Sequence, residues 1–262
     1  MSGQQAQRMP AVFFGHGSPM NTLERNRYTD AWRALGNSVP RPAAILAVSA
    51  HWYIRGTAAT AMETPATIHD FGGFPQALFD FQYPAPGSPG LARRVRDVLA
   101  PVEVRFDEGW GLDHGTWSVL THAFPRADVP VVQLSIDATQ PASFHYELGK
   151  RLAPLRDEGV LIVGSGNVVH NLGMIKWDGA APACDWAVRF NERVRDHLER
   201  RDHQPLVAYE KMGEDARLSV PTPEHYLPLL YIIGLQDERE SIAFAVDGIQ
   251  NASISMLTVV VG

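Results

Sequence analysis

Apolar residues in this chain gather into short dense runs, separated by stretches in which they recur every three or four positions. The runs cover residues 11–15, 43–50, 130–135, 159–165 and 252–261. Each is rich in β-branched, aromatic or aliphatic residues and bounded by small ones, so each predicts a buried strand. Between them the period turns helical. Leu23, Tyr28, Trp32 and Leu35 share a face in 23–35, and 88–99 opens on Ser88-Pro89, a cap followed by proline at the first helical position. Residues 115–124, 141–157 and 186–200 follow the same logic; the last carries Trp186, Phe190, Val194 and Leu198 on one side. Such alternation predicts an α/β fold: a single domain with a mixed central sheet flanked by helices. The polar residues 1–9 are expected to form a flexible N-terminus. The Pro- and Gly-rich stretches at 71–90 and 178–183 are expected to be ordered loops.

Three of the predicted strands lead into histidines. Ala11–Gly15 runs into His16, Ala44–Ala50 into His51, and Val160–Gly166, after a short turn, into His170. In an open α/β sheet, ligands bind outside the carboxyl ends of the strands. If these strands are parallel neighbours, all three imidazoles reach one crevice, and imidazole is a common ligand of catalytic transition metals. The expectation is a mononuclear metal enzyme.

Bulk properties narrow the choice. The 262 residues fit one domain, and the net charge of −6 leaves no basic stripe for nucleic acid. No segment approaches the roughly 18 uninterrupted apolar residues of a membrane span, and residues 1–9 lack the apolar core of a signal peptide. The single cysteine, Cys184, excludes an internal disulfide framework and reads as a small packed residue. A reducing cytoplasm is the simplest compartment.

Other histidines are weighed one by one. His225, in Pro221-Thr222-Pro223-Glu224-His225-Tyr226-Leu227-Pro228, reads as the first turn of a helix capped by Thr222, with Pro223 at its first position. Glu224 competes with it as a ligand, since a carboxylate would complete a two-His-one-carboxylate triad. His114, in Asp113-His114-Gly115-Thr116-Trp117, reads either as a general acid/base oriented by Asp113 or a backbone group, or as a solvent-facing neighbour of a capping aspartate. His122 reads as packing, and His145, His197 and His203 as solvated. His69 sits in the aromatic, glycine-rich loop Ile68–Pro75, where it and nearby Phe71 and Phe74 could line a pocket or simply pack. Trp52 and Tyr53 carry the same ambiguity. Gly164-Ser165-Gly166 lacks the lysine and hydroxyl of a P-loop, so it is a poor phosphate cradle.

Together these segments resemble a known family. His16 in GHGSP, His51 in SAHW, His114 in DHGTW, His170 in GSGNVVHNL and His225 in PTPEHYLPL are similar to the DOPA 4,5-dioxygenase branch of the class III extradiol ring-cleaving dioxygenases. The resemblance runs from about residue 10 to the C-terminus and includes Asp70–Pro75 and Tyr83–Gly87, so 10–262 is expected to be one catalytic domain. It implies His16, His51 and His225 as metal ligands, the last replacing a glutamate of the protocatechuate-cleaving relatives. It implies His170 as catalytic base, or possible fourth ligand, and His114 as a second acid/base. It also implies iron(II), a small aromatic diol and O2, although zinc(II) suits an all-histidine site as well.

Two rival readings remain. The same histidines could serve a zinc hydrolase of a small ester or amide, though no His-Glu-x-x-His hallmark is present. The fold could also carry a non-catalytic interaction protein, against which the five histidine motifs speak. Which catechol and which ring bond, and the oligomeric state, are left open by the sequence.

Overall fold

The computed structural model describes residues 8–177 and 181–262. Its strands are β1 (Ala11–Gly15), β2 (Ala44–Ile54), β3 (Thr57–Thr60), β4 (Val104–Asp107), β5 (Val131–Asp137), β6 (Val160–Gly166), β7 (Ile242–Val246), β8 (Ile249–Gln250), β9 (Ile254–Ser255) and β10 (Thr258–Val261). Its helices are α1 (Arg27–Ser38), α2 (Gln76–Phe79), α3 (Pro89–Leu99), α4 (His114–Ala123), α5 (Ala142–Asp157), α6 (Asp185–Glu199), α7 (His203–Val207), α8 (Glu214–Ser219) and α9 (Leu227–Gly234).

Among the described residues, eight strands form one sheet in the order β4-β3-β5-β2-β6-β1-β10-β7. The centre is parallel: β6 pairs with β2 on one side and β1 on the other, in register with both. Antiparallel pairs flank it, β3 with β5, β1 with β10 and β10 with β7. The sheet is therefore mixed, and the three strands that lead to His16, His51 and His170 are adjacent. Both sheet faces are buried. Ala11 and Phe13 of β1 join one core cluster, Val12 and Phe14 the other, the period-2 division of a strand covered on both sides. α5, α6 and α9 fill the first face, α1 and α4 the second.

Several expected boundaries shift. The run expected as one strand over 252–261 is two, β9 and β10, separated by Met256-Leu257. β2 continues to Ile54, so His51 lies within the strand rather than after it. α9 begins at Leu227, not at Pro223, which leaves His225 in the turn before the helix. Pro228 suits that register: its ring costs nothing in the first turn of a helix, where its missing N–H has no partner to lose, and α9 starts beside it. His145, expected in solvent, is fully buried on the face of α5 that packs against α9. Of the expected flexible segment, residues 1–7 lie outside the described residues. Met9 at its end is buried and held in both directions by Arg156. Residues 178–180 of the second expected loop also lie outside.

Candidate metal centre

Each of the five histidines reaches the site by a different local device. β1 ends at Gly15, and the His16 N–H donates to the Gly166 carbonyl at the end of β6 (3.1 Å). Gly17 then takes a φ of +62°, a left-handed turn that favours glycine. His51 rides on an irregularity in β2. Val48 pairs with Leu134 and Tyr53 with Ile136, so β2 carries surplus residues between them, a bulge that re-aims the side chain. His114 opens α4 behind Asp113, whose carboxylate caps the Thr116 N–H (3.1 Å). Asp113 is itself buried and takes hydrogen bonds from Ser49 Oγ (2.7 Å) and Gln133 Nε2. Burial, with Asp70 nearby, pushes its pKa up to about 6. His170 lies past β6, its N–H bonded to the Ser219 carbonyl (2.8 Å). Asn167, close to it, donates its N–H to the His225 carbonyl (2.8 Å), tying the turn before α9 to the strand end.

These devices converge. One ring nitrogen each of His16, His51 and His225 lies within 4.8 Å of the other two. The His16 and His51 Nε2 atoms are 3.3 Å apart. His114 sits beside His51 with ring centroids 3.8 Å apart, and His170 stacks on His225 at 3.5 Å with an interplanar angle of 8°. His170 is grouped with Glu224 and His225 rather than with His16 and His51.

The opposite ring nitrogens fix the tautomers. Ser165 Oγ donates to the Gly115 carbonyl (2.5 Å), so toward His16 Nδ1, 3.0 Å away, it can only accept. Asp70 Oδ2 lies 3.3 Å from His51 Nδ1, and Glu224 Oε1 lies 3.1 Å from His225 Nδ1. Carboxylates accept, so all three imidazoles carry the proton on Nδ1 and turn a bare Nε2 inward. Burial, then the neighbouring imidazoles, holds His16 and His51 well below the usual histidine range; burial lowers His225 against the pull of Glu224. The result is three neutral nitrogen donors with lone pairs facing one another. Two bare nitrogens 3.3 Å apart do not hydrogen-bond; a cation between the three would satisfy them. The donor set fits a mononuclear metal.

Asp70 was not singled out by sequence reading. Its Oδ2 also lies 3.0 Å from His114 Nδ1, and its Oδ1 accepts the His114 N–H (2.9 Å). One carboxylate therefore orients both a candidate ligand and a candidate acid/base. Ser165 was also passed over, read only as part of a weak glycine motif. Glu224, the competing ligand, takes bonds from His225 and the Thr222 hydroxyl (2.8 Å), and although burial opposes it, these hold its pKa at about 2. It stands behind His225 as an orienting group. Burial, then the nearness of the His225 imidazole, brings His170 down to about 3.

All five histidines line one cavity of about 680 Å³, with Gly72, Gly73, Phe74, Leu172, Ile175 and Trp177 among its other walls. Of the aromatic candidates, Phe74 lines the cavity, Phe71 packs against His114, and Trp52 is buried against Trp110. His69 bonds the Phe81 carbonyl (2.9 Å), and His122 the Asn21 carbonyl (2.8 Å).

A parallel-centred α/β sheet with a cluster of neutral histidines at its strand ends defines a metal-dependent enzyme. Residues 14–261 match the family model described as the catalytic LigB subunit of aromatic ring-opening dioxygenase, and the chain belongs to this family. It is an aromatic ring-opening dioxygenase, an oxidoreductase whose family implies an aromatic substrate and O2. The chain is 57% identical to a 4,5-DOPA dioxygenase extradiol of Escherichia coli K12 over 97% of its own length and 95% of that protein's. It is 39% identical to one of Beta vulgaris, with 87% of each covered. A crystal structure of an uncharacterised Escherichia coli K12 protein superposes with a TM-score of 0.86 at 52% identity, covering 97% of this chain and all of that one. No described helix is long and apolar enough to cross a membrane.

Proposed function

We infer that the chain opens the ring of a DOPA-like catechol beside its diol, with O2, at a mononuclear iron(II) centre. The observation that carries this reading is the trio His16, His51 and His225, each with Nδ1 occupied by an acceptor and Nε2 turned inward. Iron(II) held there would supply a place where catecholate and O2 exchange electrons. Zinc(II) suits the same donors but has no redox chemistry, so metal identity decides activity. His170, on the cavity wall, is placed to take a hydroxyl proton from the diol; ligation by it is the alternative role. His114, whose N–H donates to Asp70 Oδ1 and whose Nδ1 lies 3.0 Å from Asp70 Oδ2, is placed to return a proton as the ring opens. The residue 10–262 unit acts as one catalytic domain, and a single cysteine suits the reducing cytoplasm.

The test is metal analysis of protein purified without oxygen, followed by O2 uptake with DOPA in the presence of iron(II) or zinc(II). Uptake and a ring-opened product are expected with iron alone. Equal activity with zinc, or hydrolysis of a small ester in place of ring opening, would sink the reading.

A further inference from the structure

Beneath the histidines lies a buried polar network to which the metal and proton roles give no part. β5 is an interior strand of the sheet and every residue of it is buried, yet it carries Gln133. By the period of two, Gln133 shares the face of Val131, the side on which α4 packs. An amide buried without partners is costly. Both ends of this one meet a single residue: Gln133 Oε1 accepts the Asp113 N–H (3.2 Å), and Nε2 donates to Asp113 Oδ2. The reverse placement would set donor against donor, so the orientation of the amide is fixed. The other carboxylate oxygen of Asp113 accepts from Ser49 Oγ (2.7 Å) and the Thr116 N–H (3.1 Å), and Ser49 Oγ in turn accepts the His51 N–H (3.3 Å). Gln133, Ser49 and Asp113 are all fully buried. The start of α4 lies hard against β2: a Cβ at Gly115 would stand 2.5 Å from Ser49 Oγ and 2.8 Å from His51 Cδ2. What holds Asp113 therefore sets where His114 stands relative to His51.

We propose that Gln133 is a positioning residue for proton transfer: by holding both the backbone and the side chain of Asp113, it fixes the start of α4 and keeps the His114 ring beside His51. This rests on the reading of His114 as an acid/base of ring opening. Gln133 is not among the residues that line the cavity, so it acts only through Asp113. Without its amide, the Asp113 N–H has no acceptor and the carboxylate loses a donor in a dry site, and a shift of the helix start relieves both. A displacement of about 1 Å at a reacting group costs as much as about 10²-fold in rate. The metal ligands are spared, because His16, His51 and His225 keep their own partners in Ser165, Asp70 and Glu224.

The experiment turns on Gln133→Met, which keeps the length of the side chain and removes both bonds to Asp113. With DOPA and the iron-loaded protein, kcat is expected to fall by about 10–100-fold while KM and metal content stay as in the wild type. Ser135→Ala is the control. Ser135 is as buried as Gln133 and lies two residues on along the same face of β5, but its Oγ accepts the Ala58 N–H (2.8 Å) and does not hold α4. Its loss should lower the urea midpoint and leave kcat unchanged. In a His114→Ala background, Gln133→Met should have no further effect on kcat, because residues that act through one another are not additive. Histidine-ring NMR of the metal-free protein provides a readout without turnover. The His114 signal, identified by its loss in His114→Ala, should shift in Gln133→Met and stay in place in Ser135→Ala. Should Gln133→Met fail to fold, Gln133→Asn, which keeps an amide but falls one CH2 short of Asp113, is read in the same way. An undiminished kcat, an equal loss in Ser135→Ala, additive effects in the double variant, or metal loss on changing Gln133 overturns the proposal. If His114→Ala turns over like the wild type while changing Gln133 still moves the His114 signal, the positioning stands and the acid/base reading falls.

Discussion

At the scale of single residues, the site divides into groups that would hold a metal and groups that would move protons. His16→Ala, His51→Ala and His225→Ala are each expected to lower metal content together with activity. His114→Ala should keep its metal while turnover falls by roughly 10²–10⁴-fold, the usual contribution of a general acid/base. Metal analysis beside O2 uptake separates the two classes, and metal loss in His114→Ala would contradict the division. Asp70 belongs to both, because one oxygen serves His51 and His114. Asp70→Asn keeps one acceptor oxygen, which can face the two rings or the His114 N–H while the NH2 group opposes the other, so metal affinity should fall by about 10–100-fold, as for other groups that orient a ligand. Turnover should fall further than occupancy. A variant that lost stability but neither property would show Asp70 to be mere packing. The five histidines were legible because each sits in its own local motif. Asp70 was not, because nothing in the sequence joins a glycine-rich loop to a helix start 44 residues away.

At the scale of elements, the long buried strands and the capped helices could be read from period alone. β1 fits its apolar run from end to end, and Ser88 caps α3 by accepting the Leu91 N–H (3.2 Å). The short strands β3, β4 and β7 were not read: β3 and β4 have four residues each and no dense apolar run, and β7, though apolar, is a five-residue edge strand whose pairing depends on β10. The bulge in β2 was equally invisible, yet it is what aims His51. The glycines of β6 likewise had a meaning that only the fold supplies. A Cβ at Gly164 would stand 2.7 Å from the Pro228 carbonyl, and one at Gly166 would overlap the His225 carbonyl oxygen. These glycines let the turn before α9 lie directly on the strand, which sets His225 over His16. Gly166→Ala is therefore expected to push the turn outward, costing about 1–3 kcal/mol of stability as other overpacked sites do. Metal affinity should weaken with it. Urea unfolding and a metal titration check both; undiminished affinity would mean that the turn does not depend on this contact.

At the scale of the whole molecule, folding buries titratable groups that local pattern assigns to water. His145 is the plainest case, read as solvated from its polar surroundings in sequence and fully buried between α5 and α9 in the fold. Only the packing of two helices far apart in the chain decides this. Its Nδ1 lies 3.0 Å from the Tyr231 hydroxyl, and burial, partly opposed by Asp137, brings its pKa down to about 4. The sign of the pH effect follows. An unfolded histidine takes up its proton near pH 6.5, whereas the folded one stays neutral until about pH 4. Between those values the unfolded state binds more protons, so stability falls as the pH is lowered from 6.5 to 4. The full shift amounts to about 3 kcal/mol. His145→Asn, which keeps a hydrogen-bonding group but no titration, should cost stability at pH 7 and lose much of that deficit by pH 4. The measurement is urea unfolding of both proteins across the range. The buried site histidines titrate alike in both and cancel in the difference, so parallel curves would mean that His145 is not held neutral by the fold.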